Sequence, residues 1–281
     1  MAGRRMLRIE LIDKVKKRVR VSRQTLQDVA MLVFQSENVS PEGILSVGFL
    51  DKEEIRAIKR QFFHQDVDTD VVAFPYGEKE GDKIWGEILI CVPVAFEQAQ
   101  EQGYRVGEEI LLLFIHGLLH LLGYQDSTEE ESKEMAKRAQ ELLNLTREWQ
   151  LRKSLVKKAW EAKAYAYAPY SHFGVGAALL GDGGKIFTGC NVENSSFGLT
   201  ICAERVALVK AVSSGAQHFQ KIAIVSDAST FCLPCGACRQ VLFEFAPALE
   251  IISATSSLDF QVFHLDELLP YGFRLHGGGM P

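Results

Sequence analysis

The hydrophobic pattern of this chain predicts two successive sets of helices and strands. Residues 110–122 are almost wholly Ile, Leu and Phe, interrupted by His116, Gly117 and His120, which predicts an apolar helix with Gly123 as its stop. From Ser127 to Lys158 the chain is rich in Glu, Lys, Arg, Leu and Ala and contains no proline or glycine, so helix is expected throughout. The second half then reads helix (152–165), strand (173–180), a Gly181-Asp182-Gly183-Gly184 turn, strand (185–190), helix (202–214), strand (220–226) and helix (235–245). Two β-prone segments follow near 249–254 and 260–264. This order predicts a helix–sheet–helix sandwich with cysteines at helix starts. No Gly/Ser linker separates the halves, so the boundary is expected near residue 150: two α/β domains, 1–150 and 151–281.

Length and composition agree with two domains of ordinary size, since 281 residues that are 47% hydrophobic suffice for two cores. No apolar run reaches the roughly 20 residues of a membrane span, and the basic start lacks the apolar stretch of a signal peptide. Unpaired thiols of the kind described next suit a reducing cytoplasm. Nine Lys and Arg fall before Ser40, all by Arg23, a strip that can touch nucleic-acid phosphates or simply face solvent.

Cys202-Ala203-Glu204 and Pro234-Cys235-Gly236-Ala237-Cys238 carry the clearest chemistry. Catalytic zinc takes three protein ligands and leaves a position for water, so Cys202, Cys235 and Cys238 form a suitable set. Glu204, two residues past the first cysteine, can shuttle protons without ligating. Pro234 is a helix-opening signal, and cysteines at i and i+3 share one face of a first turn, where the helix dipole favours thiolate. Arg205 and Arg239, close in sequence to these cysteines, can donate to the sulfurs and offset their charge. One alternative is a closed structural knot with Cys232 as fourth ligand. A redox CxxC is another, although it leaves Cys202 and Glu204 unexplained.

With Pro169-Tyr170-Ser171-His172-Phe173-Gly174-Val175-Gly176-Ala177 and Asn191-Val192-Glu193-Asn194 preceding these cysteines, residues from about 153 to 281 resemble a cytidine deaminase of the small, three-cysteine class. The resemblance implies a three-layer α/β/α fold, one Zn2+ held by Cys202, Cys235 and Cys238, and Glu204 as proton shuttle. It further implies Asn191 and Glu193 on the ribose of cytidine or deoxycytidine, and Phe173 packed beside the nucleoside. Leu268-Leu269-Pro270 and Phe273 resemble the family's C-terminal segment, and a homotetramer is the assembly implied. On charge and polarity alone, Asn191 and Glu193 are equally compatible with solvent-facing strand-edge residues.

His116 and His120 are four apart and so share a helix face, and Gly123 allows Asp126 to turn back towards them, giving three zinc-competent ligands. Core histidines would share the same pattern. Gly117 excludes the glutamate of an HExxH protease. This segment, Thr69-Asp70-Val71-Val72-Ala73-Phe74-Pro75 and Gly86-Glu87-Ile88 resemble the YbeY family of zinc-dependent endoribonucleases over about residues 5–150. That implies an α+β zinc domain, a second Zn2+, and ribosomal RNA or the ribosome as partner. Three positions depart from the family pattern: Asp126 replaces a histidine ligand, Phe63 an arginine, and Glu87 an aspartate. The expectation is therefore a bifunctional deaminase and endoribonuclease. A deaminase carrying a non-cleaving, RNA-binding first domain is the alternative, and an enzyme editing cytosine within RNA is a third reading.

Overall fold

The computed structural model describes residues 7–15, 19, 21–40, 42–76, 84–256 and 259–274. The chain divides into two compact units, Met1–Arg147 and Glu148–Pro281. In the basic strip, Arg4, Arg5, Lys16, Lys17, Arg18 and Arg20 lie outside the described residues, while Arg8 pairs with Glu10 at 2.6 Å and Lys14 approaches Glu54 at 3.8 Å.

The first unit is an α+β layer built on a four-stranded sheet. Its elements are β1 (Arg8–Asp13), α1 (Arg23–Ser36), β2 (Ile44–Leu50), α2 (Lys52–Phe63), β3 (Val71–Pro75), β4 (Ile84–Cys91), α3 (Val92–Gln102), α4 (Val106–Leu121) and the first turns of α5 (Glu129–Lys163). The sheet order is β1-β2-β4-β3, with β3 antiparallel to β4 and the other pairs parallel. Alternation along the strands sends Leu45, Val47, Phe49, Ile88 and Ile90 to one face, where Leu26, Val33, Ile110, Phe114 and Leu118 of α1 and α4 bury them. Leu50, Val72, Leu89 and Cys91 occupy the other face, closed by Ile55 of α2. Gly117 permits the close approach of α4, because a Cβ there would lie 2.7 Å from Ile88 Cγ2 of β4.

The second unit is the three-layer α/β/α arrangement expected of the deaminase-like half. Its elements are the remainder of α5, β5 (Val175–Gly181), β6 (Ile186–Cys190), α6 (Ala203–Ser213), β7 (Phe219–Ser226), α7 (Gly236–Phe245), β8 (Glu250–Ala254), β9 (Phe260–His264) and a short α8 (Leu265–Leu268). The sheet order is β6-β5-β7-β8-β9, mixed, with β7 and β8 the parallel pair. Leu155, Val156 and Ala159 of α5 cover one face, and Ala203, Ala207, Leu208 and Leu242 of α6 and α7 cover the other. The helix expected from 127 to 158 and the one expected from 152 are a single element, α5, because nothing between Glu129 and Lys163 breaks it.

Within this core a partly buried ion cluster closes the base of β8. Burial opposes ionisation of Glu250, but Arg152 donates to both its oxygens at 2.9 Å and Lys221 adds a second cation at 3.3 Å. The carboxyl is held below its usual range as a result.

Contact between α6 and β6 is closer still. A Cβ at Gly189 would lie 2.4 Å from Ala203 O and 2.5 Å from Ala207 N, both backbone atoms that cannot rotate away. Gly189→Ala is therefore expected to lower the unfolding free energy by about 2–3 kcal/mol, read as a melting temperature several degrees below the parent's. An unchanged melting temperature would show that α6 does not press on β6 in this way.

Candidate metal centres

Two helix starts bring the sequence-predicted sulfurs together. Cys202 is the N-cap of α6 and Cys235 the N-cap of α7, while Cys238 lies in the first turn of α7. Neither N-cap cysteine caps its helix with a side-chain hydrogen bond, so both sulfurs are free to turn towards each other. Cys202 Sγ and Cys235 Sγ are 4.0 Å apart, and all three sulfurs lie within 4.8 Å of one another. Cys232 is outside this group. Its carbonyl accepts from Ser253 Oγ at 2.9 Å, and burial pushes its thiol up in pKa.

The electrostatics of the three sulfurs identify what they can hold. Hydrogen bonding with Cys238, reinforced by the Arg205 guanidinium, lowers the Cys202 thiol to about 5, while the same contact and burial raise Cys238. One thiolate forms readily and then opposes ionisation of its neighbour. All three can be thiolates together only around a cation, and a soft three-sulfur donor set suits zinc. Glu204, 4% exposed on the first turn of α6, is shifted upwards by burial and then by the neighbouring Cys202. It is a carboxyl poised to carry a proton beside the cluster.

The two arginines fare differently. An Arg205 nitrogen sits 3.8 Å from Cys202 Sγ and 3.0 Å from Thr200 O. Arg239 instead donates to Pro234 O at 2.8 Å and Leu268 O at 2.9 Å, tying α7 to the end of α8. Gln240 adds a bond to Phe273 O at 2.9 Å, and the Phe273 ring is largely exposed.

Phe173, Asn191 and Glu193 form a connected group around the 170–175 loop. Asn191 is buried and accepts from Val175 N at 2.8 Å while donating to Phe173 O at 2.8 Å. Glu193 accepts from the backbone of Tyr170 at 2.9 Å and Ser171 at 3.3 Å and from Ser171 Oγ, contacts that hold its carboxyl below the usual range. One N–H and one lone pair of the Asn191 amide remain after these bonds, as does acceptor capacity on Glu193 Oε1, enough to bind a hydroxyl. Their use as braces was hidden in the sequence, because their partners are mostly backbone atoms.

In the first unit, His116 and His120 of α4 present their rings nearly edge to face, 4.7 Å apart and 88° inclined. Asp126 Oδ2 lies 4.0 Å from His116 Nε2 and 3.6 Å from His120 Nε2. The return is made by Gly123, whose φ is 95°, with Gly123 N donating to His120 O and Tyr124 N to Leu119 O. His120 Nδ1 donates to Tyr124 O at 3.2 Å, leaving the Nε2 lone pair towards Asp126. Burial lowers the pKa of His116, which favours the neutral, ligating imidazole. Two imidazoles and a carboxylate thus converge as a second zinc-competent set.

Phe63, at the end of α2, stacks 5.7 Å from Phe74 beneath Lys59 Nζ at 5.3 Å, and Glu87 accepts from Ser46 Oγ and Tyr76 OH. No helix among the described residues is long and apolar enough to cross a membrane.

Asn191→Ala would orphan the Val175 N–H and the Phe173 carbonyl, so a loss of about 2 kcal/mol in unfolding free energy is expected in urea denaturation. Parent-like stability would mean that the amide does not brace the loop.

Comparison with known proteins follows this division. Residues 11–147 match the family model Endoribonuclease YbeY, and residues 150–254 match the cytidine and deoxycytidylate deaminase zinc-binding region. A cytidine deaminase of Halalkalibacterium halodurans is 47% identical over 123 residues, covering 43% of this chain and 93% of that protein. An Endoribonuclease YbeY of Bacillus cereus is 37% identical over 147 residues, covering 49% of this chain and 94% of that protein. A crystal structure of cytidine deaminase from Burkholderia pseudomallei aligns at 46% identity over 43% of this chain and 97% of that one, with a TM-score of 0.41.

Proposed function

Because the chain belongs to the YbeY endoribonuclease family over its first unit and to the cytidine deaminase family over its second, we propose that it is a bifunctional zinc enzyme. Its second unit deaminates cytidine and deoxycytidine to the uracil nucleosides and ammonia, and its first unit cleaves RNA, with ribosomal RNA as the substrate class. The observation that carries the deaminase reading is the convergence of three sulfurs beside the buried carboxyl of Glu204.

Cys202, Cys235 and Cys238 would hold the zinc ion, which supplies a water whose pKa falls from 15.7 in bulk to about 7. Glu204 accepts the proton that this water releases and delivers it to N3 of the cytosine ring, making C4 electrophilic. The hydroxide left behind bonds to C4. The same carboxyl takes the second proton from that new hydroxyl and gives it to the amino group as the C4–N bond breaks and the C4 carbonyl forms, so water is consumed and ammonia released in equal number. Burial of Glu204 suits both halves of this transfer, since a raised carboxyl both accepts and returns a proton at low cost. Asn191 and Glu193 use their remaining hydrogen-bonding capacity on a ribose hydroxyl, and the half-exposed Phe173 packs on the nucleoside. Arg205 offsets the excess negative charge of three thiolates around a dication. A homotetramer assembled through this unit is the accompanying proposal for its oligomeric state, and the cytoplasm for its location.

His116, His120 and Asp126 would hold the second zinc, with a carboxylate oxygen as an accepted third ligand. Phe63 brings no positive charge to a scissile phosphate, so charge stabilisation there falls to the metal and to other groups.

Glu204→Gln is expected to reduce ammonia release from cytidine by at least about 10²-fold. His120→Ala is expected to abolish metal-dependent RNA cleavage while deamination stays at the parent rate. Deamination by Glu204→Gln at the parent rate would overturn the assigned mechanism. Salt-sensitive RNA binding by the parent without cleavage would make the first unit a binding module instead.

A further inference from the structure

The loop that carries Phe173 is pinned on its other side by a carboxylate outside both metal centres. Asp227, just past β7, accepts the Gly174 N–H on Oδ2 at 2.7 Å and returns its own N–H to Gly174 O at 3.2 Å. Its Oδ1 forms an ion pair with Lys163 Nζ at the last residue of α5. The lysine is itself confined, with its side chain 16% exposed and its ammonium 4.6 Å from the Trp160 ring centroid. The lysine bond, and after it the Gly174 N–H, hold the Asp227 carboxyl below its usual range, so it is a full anion at neutral pH. At Gly174 a Cβ would come within 2.9 Å of Asp227 Oδ2, so the carboxylate occupies the space a side chain would need.

The loop requires such a clamp. His172 has φ of 55°, in the left-handed region that few non-glycine residues occupy. Glu193 holds the side before it through Tyr170 and Ser171, and Ser171 Oγ accepts from Phe173 N at 3.1 Å. Asp227 holds the side after it through Gly174. Phe173 lies between the two anchors, and its carbonyl is the atom that Asn191 grips. A shift of Gly174 therefore moves both the aromatic ring and the amide assigned to the nucleoside.

We propose that Asp227, charged and aimed by Lys163, is a positioning residue for nucleoside binding, one that sets Phe173 and Asn191 without touching substrate. This rests on the deaminase reading above. It separates binding from chemistry, because Glu204 and the three cysteines lie at the starts of α6 and α7 and, among the described residues, their hydrogen bonds do not involve Asp227.

The test uses the full-length zinc-loaded protein with cytidine as substrate. Asp227→Asn keeps an acceptor for Gly174 but loses the ion pair, and Lys163→Met loses the ion pair from the other side. Both are expected to raise KM roughly 10-fold while kcat stays within about 2-fold, and Lys163→Arg is expected to restore the parent KM. Hydrogen exchange at the amides of residues 172–175 should quicken in Asp227→Asn and in Lys163→Met, and return to the parent rate in Lys163→Arg. A parent KM in both disruptive variants, or a fall in kcat at constant KM, would overturn the proposal. If Asp227→Asn fails to fold, the lysine pair of variants decides. If the parent itself does not deaminate cytidine, the deaminase reading fails, and unchanged exchange at residues 172–175 would separately refute the clamp.

Discussion

Three sulfur atoms within 4.8 Å of one another resist simultaneous ionisation, and that repulsion organises the second unit. A protein has little reason to gather thiols in this way from two helix starts separated by a strand and a loop. The arrangement becomes favourable when a dication sits among them, because each thiolate then gains a charge partner and the repulsion is reversed in sign. The Cys238 hydrogen bond, and after it the Arg205 guanidinium, favour the thiolate at Cys202, but one arginine does not neutralise all three sulfurs. The rest of the unit serves to hold that convergence. Gly189 lets α6 lie directly on β6, Arg239 binds the start of α7 to the end of α8, and the mixed sheet sets the two helix starts side by side.

Around this point the polar residues divide into groups that meet the metal, groups that move protons and groups that shape the backbone. Glu204 belongs to the second group by its burial. Asn191, Glu193 and Asp227 spend most of their bonding capacity on the backbone of residues 170–175. The amide of Asn191 and the carboxylate of Glu193 each keep something in reserve. The loop, which contains a left-handed histidine, is therefore held largely by side chains that follow β6 and β7 and end α5, with Ser171 as its own contribution. The first unit reaches its own convergence by shorter means. One helical turn separates His116 from His120, and a glycine stop returns Asp126 to them.

Much of this was legible in the sequence where local chemistry decides. The cysteine spacing, Pro234 and the acidic residue after Cys202 place a metal site at two helix starts, and strands and helices of the second half fall within a residue or two of expectation. The helix expected from 127 to 158 does run through the domain boundary, as part of a single element from Glu129 to Lys163, since a run without proline or glycine has no physical reason to stop there. Arg239 points to carbonyls and not to sulfur, because a long side chain is placed by tertiary neighbours that spacing does not encode. Lys163 and Asp227 carry no local signal: one ends a helix, the other follows a strand, and only the folded sheet makes them partners.

The central claim is that the sulfur cluster holds a metal ion independently of the histidine site. Elemental analysis of the purified full-length protein tests it most directly. The account predicts two zinc ions per chain in the parent, one after Cys235→Ala and one after His120→Ala. Two zinc ions retained in Cys235→Ala would contradict it, as would a parent that carries none.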